Sequence, residues 1–422
     1  MSDEGTARSA DHGAAPDAAP RAKRSLGPGL LVAAAFIGPG TVTTATVAGS
    51  DFGFQLVWVL LFGVATAMLL QEMSARLGIV SREGLGEAFR STVANPTLSA
   101  VVIVLVVAAI GIGNAAFEAG NIIGAALGLE ALTGIGTRPW ALLIGVLALV
   151  LLGTSVYKVI ERALVALVLV MSVAFVGTFV LVRPDLGDLA SGFAPALPSG
   201  AILTVVALIG TTVVPYNLFL HASSVQEKWG PQLPPGEALS AARRDTVLSI
   251  GLGGLITLAV LSTSAAAFFA AGIAVEDAGT MADQLEPLLG RTSQVVFATG
   301  LLAAGLTSSV TAPLAAAYAI SGAMGWGSDL ASWRFRAVWA SIIVVGTVFA
   351  VFGGSPVEAI VFAQAANGLI LPFIAIFLLR VMNRRDLLGD HVNGLVGNVI
   401  AGVVVLAVSG LGVFNLITAF TE

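Results

Sequence analysis

The chain carries two apolar segments that are each interrupted by proline and glycine, far apart in sequence and alike in kind. The first runs Leu30-Leu31-Val32-Ala33-Ala34-Ala35-Phe36-Ile37-Gly38-Pro39-Gly40-Thr41-Val42-Thr43-Thr44. The second runs Leu208-Ile209-Gly210-Thr211-Thr212-Val213-Val214-Pro215-Tyr216-Asn217-Leu218-Phe219. Proline has no backbone N–H and clashes with the preceding turn, so each segment should break near its middle. If the segments cross a bilayer, the break frees carbonyl and N–H groups where no water can reach them. That is tolerable only where surrounding protein or a polar cavity takes their place.

Composition says that the segments do cross a bilayer. Of 422 residues, 57% are hydrophobic and 11% charged, and soluble domains carry about twice that charged fraction. The 49 glycines suit closely approaching membrane helices. With no cysteine, disulfides, thiolate ligands and thiol nucleophiles are excluded, and the three histidines are too few for a histidine-rich metal site. Residues 1–24 are rich in Ala, Pro, Asp and Arg, lack an apolar run, and read as a disordered cytoplasmic tail. The rest, 25–422, reads as a single membrane domain.

Eleven runs reach the length of about 20 apolar residues that a spanning helix needs. They start near Pro28, Phe54, Thr97, Pro139, Tyr157, Ser199, Val247, Thr292, Ala337, Val357 and Gly394. With the N-terminus in the cytoplasm, seventeen of the twenty Lys and Arg residues fall inside, and only Arg138, Arg183 and Arg291 fall outside. The bias of positive charge toward the cytoplasm supports both the count and an N-inside, C-outside orientation in the cell membrane. Five spans per repeat, an odd number, force two repeats to run in opposite directions. The expected architecture is therefore an all-α, five-plus-five inverted repeat of about 28–183 and 198–382, with an extra helix at about 393–417. Helices 1 and 6 are the broken ones. That is the plan of LeuT-type transporters, in which discontinuous helices hold the substrate near mid-membrane.

Short motifs carry a more specific resemblance. The chain resembles the Nramp (natural resistance-associated macrophage protein) family of divalent-metal transporters. In that family the first break reads Asp-Pro-Gly-Asn, where this chain has Gly38-Pro39-Gly40-Thr41. The sixth span reads Gly-Ala-Thr-Val-Met-Pro-His-Asn-Leu-Tyr-Leu-His-Ser, where this chain has Gly210 through Ala222. Ser74-Ala75-Arg76-Leu77-Gly78-Ile79, Leu371-Pro372-Phe373 and Leu387-Leu388-Gly389-Asp390-His391-Val392-Asn393 match as well. The resemblance implies a secondary transporter, not an enzyme, working by alternating access without a resident cofactor.

The departures fall on the residues that the resemblance assigns to the metal. Its Asp, Asn, Met and backbone carbonyl correspond to Gly38, Thr41, Val214 and Thr211. Thr41 and Thr211 are thus the metal candidates by position, with changed chemistry. The acid is absent, and so is the soft sulfur that suits transition ions. On the family's proton route, Tyr216 replaces a histidine, and the Asp-x-x-Glu of span 3 becomes Glu118-Ala119-Gly120-Asn121. Glu118, Asn121 and His221 are the coupling or gating candidates.

Substrate candidates are Gly38, Gly40, Thr41, Thr44, Thr211, Val214, Tyr216, Asn217 and Asn367, with Gln364 one turn from Asn367. All are neutral. Neutral oxygens favour hard ions, so a hydrated Mg²⁺ fits better than Mn²⁺ or Fe²⁺. The alternative is a small anion or zwitterion, such as an amino or organic acid, held at the free N–H groups of the half-helix that starts at Pro39. The bland readings stand beside these. Lys158 and Glu161 form an interfacial pair, Glu72 and Gln71 an interfacial network, and His221 a structural histidine. Gly111-x-Gly113 follows no strand and does not signal dinucleotide binding. Partners are then an ion or small solute and the bilayer, with no nucleic acid. A monomer is compatible with this plan and the oligomeric state stays open.

Overall fold

The structure is a computed structural model that describes residues 37–92, 96–154, 157–229, 233–327 and 329–421. Among these residues all regular structure is helical. Twelve principal helices follow in order. They are α1 (Pro39–Phe52), α2 (Val57–Ser81), α3 (Pro96–Thr133), α4 (Thr137–Gly153), α5 (Tyr157–Val182), α6 (Ile202–Thr212), α7 (Pro215–Trp229), α8 (Pro235–Ser264), α9 (Ser293–Met324), α10 (Trp333–Phe352), α11 (Pro356–Val381) and α12 (Leu395–Thr421). Short helices at Leu85–Ser91, Leu186–Ser191 and Ala278–Asp283 lie between them.

Nine spans among the described residues are long and apolar enough to cross a membrane, α6 and α7 together counting as one of them. The 17-residue α4 is shorter, and α1 is the second half of the expected first span. The first half of that span, Leu30–Phe36, and the tail 1–24 lie outside the described residues. The outer surface is an apolar belt, with Leu395, Phe352 and Leu248 all more than two-thirds exposed. Such a surface is stable only against acyl chains.

One boundary differs from the sequence expectation. The apolar run near Val247 is the upper part of a helix that begins at Pro235. Pro235 sits where its missing N–H costs nothing. The first turns hold because Ala238, Leu239 and Ala242 bury against Ala75, Ile79 and Val225 of α2 and α7.

The second break has a local cause. Pro215 has no N–H to give the Thr211 carbonyl, and a proline also disfavours helical backbone in the residue before it. The helix ends at Thr212, Val213 takes φ −114°, ψ 77°, and α7 restarts at Pro215. The first break is built from the other side. Gly38 is extended (φ −89°, ψ 175°), Pro39 is the first residue of α1, and no side chain caps its buried first turn. α1 is enclosed by α8, α6, α11 and α3, so the break lies in the centre of the bundle.

Close backbone approach holds α6 against α11. A Cβ on Gly210 would overlap the Gln364 carbonyl and meet the Gly368 N–H at 2.5 Å, so only glycine fits there. Small residues at such crossings let membrane helices pack through their backbones.

Candidate functional site

The two breaks meet through their hydroxyls. Thr41 Oγ1 of α1 lies 2.7 Å from Thr211 Oγ1 of α6, and both side chains are buried. Thr41 stands in the first turn of its half-helix and Thr211 in the last turn of its own, so the contact joins the two interrupted ends. Gly40, one residue earlier, lies against the side-chain amide of Gln364, and a Cβ there would overlap that amide. On its far side the same amide faces Gly120 of α3.

α1, α7 and α11 carry a set of buried side-chain polar atoms without hydrogen-bond partners. Both polar atoms of Gln364, Asn217 Oδ1, Asn367 Nδ2 and Thr44 Oγ1 belong to it. Asn367 Oδ1 faces the backbone of Gly113 on α3. Burying a polar group unpaired costs about 1–3 kcal/mol, so the set offers hydrogen-bonding capacity that a bound species could satisfy. Every donor in it is neutral. Among the described residues no group of three or more His, Asp or Glu side chains is placed to hold a metal.

Val214 and Tyr216, next to the break in sequence, sit in apolar surroundings. They pack with Phe117, Leu220, Ala312 and Ala315 in a separate apolar cluster, and the Tyr216 and Phe117 rings meet edge-to-face at 5.3 Å. The Tyr216 hydroxyl is buried within that cluster without a partner.

Glu118 lies toward α10. It packs against Gly346 of α10, and its Oε2 accepts a hydrogen bond of 3.3 Å from Asn121 Nδ2. Glu118 and Asn121 are fully buried, and Glu118 Oε1 makes no hydrogen bond. Glu118 and Asn121 therefore form a second polar cluster on α3, distinct from the glycine face that meets Gln364 and Pro39. His221 belongs to neither. Its Nδ1 donates to Gln71 Oε1 of α2 at 2.7 Å, while Nε2 is unpartnered. It lies six residues beyond Pro215, about 9 Å along the helix.

Glu72 joins Arg76 and Arg243 in an ion-pair network at one end of the bundle, while Gln71 points inward to His221. The side chains of Lys158 and Glu161 lie outside the described residues.

A third buried network was not visible in the sequence. Gln284 Nε2 donates to Thr46 Oγ1 of α1 at 3.1 Å and to the Met281 carbonyl at 2.7 Å. Thr263 Oγ1 of α8 lies 3.1 Å from Gln284 Oε1, and Ser264 Oγ donates to the Thr46 carbonyl at 2.5 Å. Gln284 sits in the irregular stretch between α8 and α9, where hydrophobic periodicity gives no signal. Just beyond Ser264 the helix widens to a π-turn over Ala265–Phe269. Such turns re-aim side chains and often mark functional sites.

Comparison with known proteins places this architecture. The family described as natural resistance-associated macrophage protein-like matches residues 29–418. The divalent metal cation transporter MntH of Pectobacterium carotovorum is 30% identical over 397 residues, 93% of each chain. That of Deinococcus radiodurans is 32% identical over 404 residues, 93% of this chain and 90% of its own length. A manganese transporter of Eremococcus coleocola superposes with a TM-score of 0.74 at 24% identity, covering 92% of this chain and 85% of that one. Mhp1, a nucleobase-cation-symport-1 family transporter, shares the fold more distantly, with a TM-score of 0.58 at 17% identity over 93% of this chain and 92% of its own. With a fold of the LeuT type and a family match over nearly its whole length, this chain belongs to the natural resistance-associated macrophage protein (Nramp) family of multi-pass membrane transporters.

Proposed function

We propose that the chain carries a divalent metal ion across the cell membrane by alternating access, and that the ion passes the break with part of its water shell in place. The observation that carries this reading is the buried Thr41–Thr211 contact between the two interrupted half-helices, with the neutral, unpartnered amide of Gln364 against Gly40 beside it. Curated relatives named as divalent metal cation transporters supply the ion class. Hydroxyls, amides and carbonyls replace a hydration shell poorly, so an ion that keeps several waters is the better fit, and Mg²⁺ is such an ion. A thioether at the position of Val214 would favour Mn²⁺ or Fe²⁺, and none is there.

The residues proposed to face the substrate are Gly38, Gly40, Thr41, Thr44, Thr211, Asn217, Gln364 and Asn367. Val214 and Tyr216 border them, and Glu118, Asn121 and His221 are proposed for coupling or gating. Eleven crossings with the N-terminus inside and the C-terminus outside remain the topology that the charge distribution supports.

A second reading has its own support. α1 starts at Pro39 with no side-chain cap on its first turn and no acidic residue in it. A half-helix terminus of that kind suits a carboxylate, so a small anion or zwitterion would be the cargo.

Purified protein in proteoliposomes separates the two. Mg²⁺ uptake that exceeds Mn²⁺ uptake at equal concentration is the expected result. Saturable uptake of an amino or organic acid, with no divalent flux, would overturn the metal reading in favour of the second.

A further inference from the structure

A groove on the lipid-facing surface carries chemistry that the break does not use. It lies between α2, α8 and α12 as an open groove of about 560 Å³, within the range of small-ligand sites. Met68, Leu69, Val247 and Ile400 form its apolar wall. Val247 and Ile400 are about half-exposed, so the wall opens sideways toward the acyl chains.

The other end of the groove is charged. Arg243 donates from Nε to Glu72 Oε1 at 2.9 Å, and its Nη2 stands 2.8 Å from the same oxygen. Arg76 Nη2 stands 3.2 Å from Glu72 Oε2 and donates to Asn393 Oδ1 at 2.6 Å. Two guanidiniums thus share one carboxylate, which leaves one positive charge in excess. The Arg243 side chain is 56% exposed, whereas Arg76 is 12% exposed and also donates from Nη1 to the His391 carbonyl at 3.2 Å.

The dimensions match one leaflet. Ala65 and Arg76, both at the groove, are eleven residues apart on α2, or about 16 Å at 1.5 Å per residue. Half of the hydrocarbon core is about 15 Å. We propose that the groove binds an anionic glycerophospholipid, its phosphate on the exposed Arg243 with the charge of Arg76 behind it, and one acyl chain along Met68, Val247 and Ile400. Guanidinium forks match phosphate oxygens in geometry as well as charge. A zwitterionic lipid brings its own cation and gains less from the excess charge, and free phosphate leaves the apolar wall uncovered.

Delipidated full-length protein in neutral detergent, followed by native mass spectrometry, tests this. The probes are dioctanoyl phosphatidylglycerol, dioctanoyl phosphatidylcholine and inorganic phosphate. Phosphatidylglycerol should bind at lower concentration than phosphatidylcholine, and phosphate should not bind in the same range. Arg243→Gln should weaken phosphatidylglycerol about fivefold, the effect of one basic side chain on an anionic headgroup, and weaken phosphatidylcholine less. Ile400→Trp, which fills the groove from a lipid-facing position, should weaken both lipids. Equal binding of the two lipids to the native protein would overturn the proposal, as would phosphate binding as tightly as phosphatidylglycerol. If Arg243→Gln does not fold, unchanged phosphatidylglycerol binding in Ile400→Trp overturns it alone.

Discussion

Thr41 Oγ1 and Thr211 Oγ1 stand 2.7 Å apart, and this one hydrogen bond ties the start of α1 to the end of α6. The two residues are 170 positions apart in sequence and lie in the two segments that proline interrupts. Both hydroxyls are buried, so whatever enters between the half-helices must displace this bond or bridge it.

A double-mutant cycle measures that coupling. Thr41→Val and Thr211→Val each keep the side-chain shape and leave one buried hydroxyl facing a methyl group, at a cost of about 1–3 kcal/mol. The double variant should lose less than the sum, because no hydroxyl is then left unpaired. Thermal unfolding in detergent supplies the stabilities, and strict additivity would mean that the contact does not couple the two breaks. Each single variant should also weaken substrate binding about tenfold if these hydroxyls face the cargo.

Two alanine substitutions at glycine should behave differently because their obstacles differ. Gly210→Ala drives a methyl into the backbone of Gln364 and Gly368, which cannot yield. A loss of about 1–3 kcal/mol or failure to fold is expected. Gly40→Ala meets only the end of the Gln364 side chain, which can turn aside. That variant should fold and lose affinity, with a thermal midpoint near that of the native protein. Equal destabilisation of the two would show that Gln364 is as fixed as the backbone.

The fold was legible in the sequence because proline and glycine act locally. Pro215 interrupts its helix whatever surrounds it, and the charge bias of the loops is a property of composition. The metal-ligand positions were legible only as positions, since their chemistry had changed. The direction of side chains on either side of a break was not legible. Tyr216 and Val214 follow a proline-bent backbone whose rotation depends on tertiary packing against Phe117 and Ala312. Gln284 was missed for a related reason. It lies in a connection without periodicity, and only the fold brings it to Thr46.

At one end of the bundle, Glu83 gives the stability a pH dependence. Partial burial raises its pKa, the neighbouring Glu87 raises it further, and Arg384 opposes both. The folded state therefore holds the proton more tightly than the unfolded chain. The stabilising contribution is complete below the unfolded glutamate value, about 4.3, and is lost as pH rises through the raised folded value. Glu83→Gln should thus raise the thermal midpoint at pH 7–8 and leave it unchanged at pH 4. A loss of stability at neutral pH would show that the Glu83 carboxylate is held mainly by Arg384.

Transport should respond little to an imposed proton gradient. Glu118 and Asn121 form a closed pair facing α9 and α10, and the Tyr216 hydroxyl nearby is buried without a partner. Glu118→Gln should keep substrate affinity within about threefold, because the side chain does not reach the Thr41–Thr211 contact. Proteoliposomes that acidify during uptake, and cease to do so in Glu118→Gln, would show that this single carboxylate suffices for coupling.

The sharpest test of substrate charge is at Gly38. Its backbone, φ −89° and ψ 175°, accepts any residue, and a side chain there stands at the cap of α1, facing the free N–H groups. If those groups hold an anion, Gly38→Asp sets a like charge beside it. Two unit charges about 4 Å apart repel by roughly 4 kcal/mol at an effective dielectric of 20, and half of that already lowers affinity more than tenfold. If the break holds a hydrated cation, the same carboxylate should tighten binding and shift preference toward Mn²⁺, which sheds water more readily. Gly38→Asn controls for bulk and for capping, since its amide oxygen accepts the same N–H groups without charge. Affinities measured by calorimetry for Mg²⁺, Mn²⁺ and a panel of amino and organic acids decide the matter. A gain for cations in Gly38→Asp alone supports the metal reading, and a loss for anions in Gly38→Asp alone supports the other. Equal losses in both variants would mean that only volume counts at Gly38, and the electrostatic account of the break would fall.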